Sequence, residues 1–237
     1  MTSNRAANVY VGLAGETAPE RLVKSGLYRM NDGVGGWELL KNGLPEEPAI
    51  RALAVHPQKP EIVYAGTQDG PYRSSDRGDH WEKVDVPDHG RPVWSLLFHP
   101  RDANIMYAGY ESCEIYRSDD GGESWKKLSS GLPGGSIGKI GLAISFQQPD
   151  VVYAVIELNR RAGGIYRSTD RGNSWERRSD DVSGATGPHY YQKLYASPHQ
   201  FDRIYLMDEY IRFSVDGGRS FTRVNIDFRH GDSHALA

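Results

Sequence analysis

The sequence predicts an all-β protein, a five-bladed β-propeller of four-stranded antiparallel blades, and three observations predict it. A box of the form Ser-x-Asp-x-Gly-x-x-Trp recurs along the 237 residues. Its aromatic positions, Trp37, Trp81, Trp125, Trp175 and Phe221, are separated by 44, 44, 50 and 46 residues, the length of one four-stranded blade. The last residues, His234-Ala-Leu-Ala237, match Arg51-Ala-Leu-Ala54, so the C-terminus offers the one strand that the first copy lacks.

Composition agrees with many short strands. The 27 Gly and 13 Pro are about 17% of the chain, against ~12% in an average protein, which implies frequent turns. The 14 Tyr and 5 Trp suit a large packed β core. A net charge of −3 gives no global basic field, so neither nucleic acid nor an anionic membrane is an expected partner. No apolar run reaches the ~18 residues of a membrane helix. The first ten residues carry no apolar signal core, so a soluble chain without a signal peptide is expected, and the compartment stays open. One cysteine, Cys113, excludes an internal disulfide.

Each copy reads in the same order. An apolar first strand comes first and usually ends in Pro, as in Arg51–Pro57, Trp94–Pro100, Ile140–Ile144 and Lys193–Pro198. Its near-continuous hydrophobicity fits an innermost strand buried on both faces. A second strand centred on Tyr follows, at Tyr10, Tyr64, Tyr107, Tyr153 and Tyr205. A third carries Tyr-Arg, at Tyr28-Arg29, Tyr72-Arg73, Tyr116-Arg117 and Tyr166-Arg167. The box and a fourth strand close the unit. The expected blades are 1–44 with 230–237, 45–88, 89–131, 132–182 and 183–229, one domain in all. Pairing the two termini would remove two aggregation-prone sheet edges.

Three boxes are intact: Ser74, Asp76, Gly78 and Trp81; Ser118, Asp120, Gly122 and Trp125; Ser168, Asp170, Gly172 and Trp175. A fourth, Ser214, Asp216, Gly218 and Phe221, exchanges Trp for Phe. The first copy keeps only Asp32 and Trp37. On these motifs the chain resembles the Asp-box, or BNR-repeat, propellers. That superfamily includes sialidases, two-propeller xyloglucanases, sortilin-type receptors and photosystem II assembly factors. The resemblance implies a hairpin between third and fourth strands. The Asp would accept turn N–H groups, the Gly would supply positive φ, and the aromatic would pack beneath the turn. A residue needed five times around a ring is architecture before it is catalysis, and the Tyr-Arg pairs fall under the same reading.

Function is expected where the copies differ, at the mouth of the central channel. Aligned first strands place Arg51, Trp94, Ile140, Gln192 and His234 at one position, and Ala49, Pro92, Gly138, Tyr190 and Asp232 two residues earlier. Arg91, His189 and His230 lie close in sequence. His230, Asp232 and His234 alternate and would share one strand face. They could form a general acid–base cluster or a two-His-one-carboxylate site for a channel-bound divalent metal. A hydrogen-bonded polar plug is preferred, because three ligands without geometry identify no metal. The segment His230–Leu236 resembles a His-x-Asp-x-His-Ala-Leu stretch of large Asp-box proteins described as glycosyl hydrolases, and Pro188–Tyr191 resembles another piece of that group.

The expected function is therefore a binding or scaffold module that takes a small molecule, carbohydrate or protein at the channel mouth. Its candidate binding residues are Arg51, Arg91, Trp94, His189, Tyr190 and Gln192. The alternative is a glycosidase, for which two facing carboxylates are needed; Asp232 has only Glu47 as a sequence candidate partner. A third reading is a fragment, or an engineered minimal propeller, without activity. His56 and His99 precede Pro in equivalent turns and read as structural. Gly134–Gly138 matches the nucleophile-elbow string, but in a loop-to-strand context where that motif does not operate.

Overall fold

The structure is a computed structural model, and it describes residues 8–14, 16–18, 21–23, 25–31, 35–87, 90–134, 138–158, 162–182, 193–207 and 210–224. The chain divides into two compact units, Met1–Phe98 and His99–Ala237. Among the described residues there is no helix, and every strand pairing is antiparallel.

Among the described residues the first unit holds ten strands: β1 (Asn8–Leu13), β2 (Glu16–Ala18), β3 (Arg21–Val23), β4 (Gly26–Asn31), β5 (Glu38–Leu40), β6 (Ala52–Val55), β7 (Val63–Thr67), β8 (Gly70–Ser74), β9 (Glu82–Lys83) and β10 (Val93–Phe98). They form a three-stranded sheet β1-β4-β5, a small β2-β3 ribbon and a four-stranded sheet β6-β7-β8-β9. Among the described residues the ribbon has no counterpart in the other repeats, and the sequence carries no signal for it. Leu27, Leu40 and Ile50 meet Val63, Ala65, Tyr72 and Trp81 in the core between these sheets.

The second unit holds β11 (Met106–Tyr110), β12 (Ile115–Ser118), β13 (Lys126–Leu128), β14 (Gly138–Ile144), β15 (Val152–Leu158), β16 (Ala162–Ser168), β17 (Glu176–Ser179), β18 (Lys193–Ala196), β19 (Ile204–Met207), β20 (Ile211–Ser214) and β21 (Thr222–Arg223). Strands β14 to β17 and β18 to β21 make two four-stranded sheets in sequence order, and β11 to β13 pair in the same order. Ala143, Val151, Tyr153, Val155 and Ile165 pack with Leu194, Ile204 and Leu206 between the last two sheets. The second strands are buried on both sides: every residue of β7 and β11, and all but the last of β15. The strand expected to complete the first blade, 230–237, lies outside the described residues.

Candidate functional site

The chain enters β6 through Pro48, Ala49 and Ile50, all buried. Ala49 has φ 44, a left-handed conformation that costs a residue with a Cβ about 1–2 kcal/mol. Gln68 holds this bend from the next hairpin. Its backbone N–H donates to Pro48 O at 3.1 Å, and its side-chain amide donates to Glu47 O at 2.8 Å. Arg51 N–H then donates to Gly66 O at 2.9 Å, fixing where the Arg51 side chain leaves the sheet.

Strand β10 lies beside β6, and Gly66 sets how closely. A Cβ there would stand 3.0 Å from both Ala52 Cβ and Val93 Cγ1, closer than side chains normally tolerate. The approach brings two non-repeating residues together. The Arg51 guanidinium lies over the Trp94 ring, 4.6 Å from its centroid. Both side chains are half-buried. Arg51 Nε is shielded from water and has no hydrogen-bond partner among the described residues. A half-buried guanidinium on an indole, with no described carboxylate beside it, can meet an anionic group and a flat apolar group at once.

Arg91 is exposed, three residues before Trp94. Ile140, the matching position of β14, is buried and apolar. Next to the position of Gln192, Lys193 opens β18, and burial pushes its ammonium pKa down. His189, Tyr190, Gln192, His230, Asp232, His234 and Asp32 lie outside the described residues. Among the described residues, no group of His, Cys, Asp and Glu is close enough to hold a metal. Cys113 is buried. Burial, followed by the charges of Glu157, Glu111 and Glu114, pushes its thiol up to about 12, and the thiol donates to Glu157 O at 3.4 Å.

The four boxes share one Ser–Asp–Gly geometry, and the three with Trp add an indole bond. In the Asp120 box, Ser118 Oγ donates to Asp120 Oδ1 at 2.7 Å and accepts from Gly122 N–H at 2.8 Å. Asp120 Oδ1 also accepts the N–H of Glu123 and Ser124, at 3.0 and 2.9 Å, while Oδ2 accepts Ser124 Oγ–H. Trp125 Nε1 donates to Gly122 O at 3.0 Å. The bond from the Ser124 hydroxyl leads the causes that hold the Asp120 carboxyl down at about 2. At Asp76 burial acts upward, but bonds from His80 N–H, the His80 ring and Ser74 outweigh it, again giving about 2. Each of these carboxylates is held by its own turn through both oxygens.

A family model described as Sortilin, neurotensin receptor 3 (Sortilin-Vps10) matches residues 25–157, more than half the chain. The chain belongs to the Sortilin-Vps10 family. Vacuolar protein sorting/targeting protein 10 of Chaetomium globosum is 33% identical over 87 residues, 36% of this chain and 6% of that protein. A xyloglucanase of Hypocrea jecorina is 32% identical over 130 residues, 44% of this chain and 15% of its own length. The chain thus spans a small part of the curated relatives it matches. Among solved structures, the GH74 xyloglucanase from Xanthomonas campestris aligns with TM-score 0.64 at 21% identity, over 93% of this chain and 37% of that one. YCF48 bound to D1 peptide aligns with TM-score 0.56 at 14% identity, over 91% of this chain and 70% of that one. At these identities the likeness speaks for the fold, which is a β-propeller.

In this Sortilin-Vps10 chain the recurring Tyr and Arg have a role that the sequence leaves unstated: they clamp the box of the following blade. Tyr10 Oη and Arg29 Nη1 donate to Arg77 O at 3.0 and 2.8 Å. Tyr107 Oη and Arg117 Nη1 donate to Arg171 O at 3.1 and 2.9 Å. Arg77 and Arg171 have φ of 63 and 58, and that left-handed turn is what offers the carbonyl. Tyr153 and Arg167 grip the Asp202 carboxylate instead, at 2.5 and 3.1 Å. Trp37 departs from the expectation. Trp81, Trp125 and Trp175 are 4, 8 and 6% exposed beneath their turns, whereas Trp37 is 47% exposed. In sequence, Met30 and Val34 replace the Ser and Gly that would build a turn above it.

Proposed function

We propose that this chain is a ligand-binding propeller module whose site is the start of its innermost strands. Arg51 and Trp94 carry the reading, because they differ between repeats, stack on one another and leave a guanidinium without a described carboxylate. The ligand chemistry that fits is a peptide or small acid placing a carboxylate on Arg51 and a flat apolar group on Trp94. Membership of a receptor-type family supports binding over catalysis, as does a similar fold solved bound to a peptide. Arg91, His189, Tyr190 and Gln192 would extend the site. His230, Asp232 and His234 would form its polar floor, as a hydrogen-bonded plug or as ligands of a divalent metal. In this reading the blades number five, and residues 230–237 pair alongside β1 to close the ring.

The test is calorimetric titration with peptides that differ only in a free or amidated carboxyl terminus. The free acids should bind more tightly, and Arg51→Ala should erase the difference. Losing a charge-assisted bond of about 1.5–3 kcal/mol means roughly 10- to 100-fold weaker binding. Equal binding of acids and amides would reject the proposal.

A second reading, a glycosidase acting at the same mouth, is favoured by the xyloglucanase relative. It needs two carboxylates across a sugar. The described starts of the inner strands, at Arg51, Trp94 and Ile140, supply none. Release of reducing sugar from xyloglucan, abolished by Asp232→Asn, would establish this reading over the first.

A further inference from the structure

The turn joining first and second strands is built four times to one plan. His56 N–H donates to Ile62 O, His99 to Ile105 O, Ser145 to Val151 O and Ser197 to Arg203 O, at 2.9, 2.9, 3.0 and 2.8 Å. Inside each turn a side chain at that first position accepts backbone N–H groups. His56 Nδ1 accepts from Gln58 and Lys59 at 3.1 and 3.0 Å, and His99 Nδ1 from Arg101 and Asp102 at 3.3 and 3.0 Å. In the other two turns a serine hydroxyl does the same work. Ser145 Oγ accepts from Gln148 at 3.1 Å, and Ser197 Oγ accepts from His199 and Gln200, both at 3.2 Å.

The two acceptors differ in one respect. A hydroxyl oxygen keeps its lone pairs at any pH, whereas Nδ1 accepts only while the ring is neutral and carries its proton on Nε2. We propose that the 56–62 and 99–105 turns are acid-labile latches, and that the Ser145 and Ser197 turns are their pH-indifferent equivalents. Protonation turns Nδ1 into a donor facing two donors, so both turn bonds are lost. Each latch also touches a box. Glu61 O accepts Arg77 N–H at 2.9 Å, and Asn104 O accepts Gly121 N–H at 2.8 Å, so an opened turn releases the hairpin beneath it.

The surroundings oppose the charged ring more than they favour it. His99 is 3% exposed, and its Nε2 has no hydrogen-bond partner among the described residues, so an imidazolium there would leave both N–H groups unsatisfied. Burial dominates in pushing its pKa down, with Arg171 and Arg101 acting the same way and Asp102 and Asp150 opposing. The His56 ring rests on Phe98 at 5.2 Å. Burial lowers its pKa as well, with Lys59 and Arg73 acting downward and Glu61 upward. Because the folded state disfavours the proton, this part of the stability is present above the unfolded value near 6.5 and is lost as pH falls below it.

Amide hydrogen exchange, corrected for intrinsic rates, reads the turns one by one. Between pH 7.5 and 5, protection at Lys59 and Asp102 should fall about tenfold or more relative to Gln148 and Gln200. In the His56→Ser/His99→Ser protein the four turns should respond alike. Should that variant not fold, Ser145→His gives the converse test, importing acid sensitivity at Gln148. Imidazole nitrogen shifts of the unaltered protein at pH 7.5 should show both rings neutral with bare Nδ1. A protonated Nδ1 at that pH, or equal loss of protection in all four turns, would overturn the proposal.

Discussion

The first and second repeats hold equivalent residues in opposite environments. In the second, Val63, Ala65, Tyr72 and Trp81 are buried with Ile50 under Leu27 and Leu40 of the first. Their counterparts in the first are Val9, Val11, Tyr28 and Trp37. Val9 is 46% exposed and Trp37 47%, Val11 is exposed, Tyr28 is half-buried, and neighbouring Leu39 is 46% exposed. Strand register puts Val9 opposite Met30, and Val11, Tyr28 and Leu39 in the next row, all on one face. The difference teaches that a blade has two unlike faces. One carries the Tyr–Arg clamp, and the first repeat has it complete in Tyr10 and Arg29. The other receives a clamp, which in the second repeat closes on the carbonyl of left-handed Arg77.

The largest test of that contrast pairs the two tryptophans. Trp81→Ala should cost roughly 3–5 kcal/mol, as for other buried aromatics. Trp37→Ala should stay within about 0.5 kcal/mol, as for exposed positions. Urea unfolding separates them, and similar losses would break the comparison. Next comes the clamp. Arg29 is nearly buried and bonds Arg77 O, Glu38 and Asp79 at 2.8, 2.7 and 2.8 Å. Arg29→Ala should therefore destabilise by about 1–3 kcal/mol, and Arg29→Lys by nearly as much because it loses the fork.

Acid titration is a gentler probe. The Asp76 carboxyl is held at about 2, below its ordinary 3.8. Its contribution is present above the unfolded value and is lost as pH falls from about 4 towards 2. Asp76→Asn should flatten the stability profile in that window, and an unchanged profile would show that the box bonds are not coupled to folding. The smallest effect concerns the clamp's receiver. Arg77 is left-handed, and the same position is Gly121 or Gly217 in two other boxes. Arg77→Gly should shift stability upward by no more than about 1 kcal/mol. A clear loss would show that the Arg77 side chain, and not its backbone, supports the interface.

Much of this architecture was legible because repetition exposes it. The Tyr-centred strands, the box turns and the His56 and His99 turns all fall where the recurring residues put them. Features built from backbone or from packing were not legible. The clamp closes on the carbonyls of Arg77 and Arg171, groups that every residue carries. The β2-β3 ribbon does not recur among the described residues. Trp37 keeps its spacing, yet it is exposed, and in sequence Met30 and Val34 stand where the other boxes have Ser and Gly. At the candidate site the sequence singled out Arg51 and Trp94 as non-repeating. It could not give their stacking, which depends on the close approach of β6 and β10 at Gly66, nor the strained bend at Ala49.

The account rests on a division of labour between repeated residues that hold the blades and non-repeated ones that bind. One experiment addresses it directly: the affinity for a carboxylate-terminated peptide and the melting temperature, measured together on Arg51→Ala and Asp120→Ala. Arg51→Ala should weaken binding about tenfold or more and leave melting nearly unchanged. Asp120→Ala should melt earlier and, wherever it is folded, bind as before. Full binding by Arg51→Ala, with binding lost in a folded Asp120→Ala protein, would contradict the account.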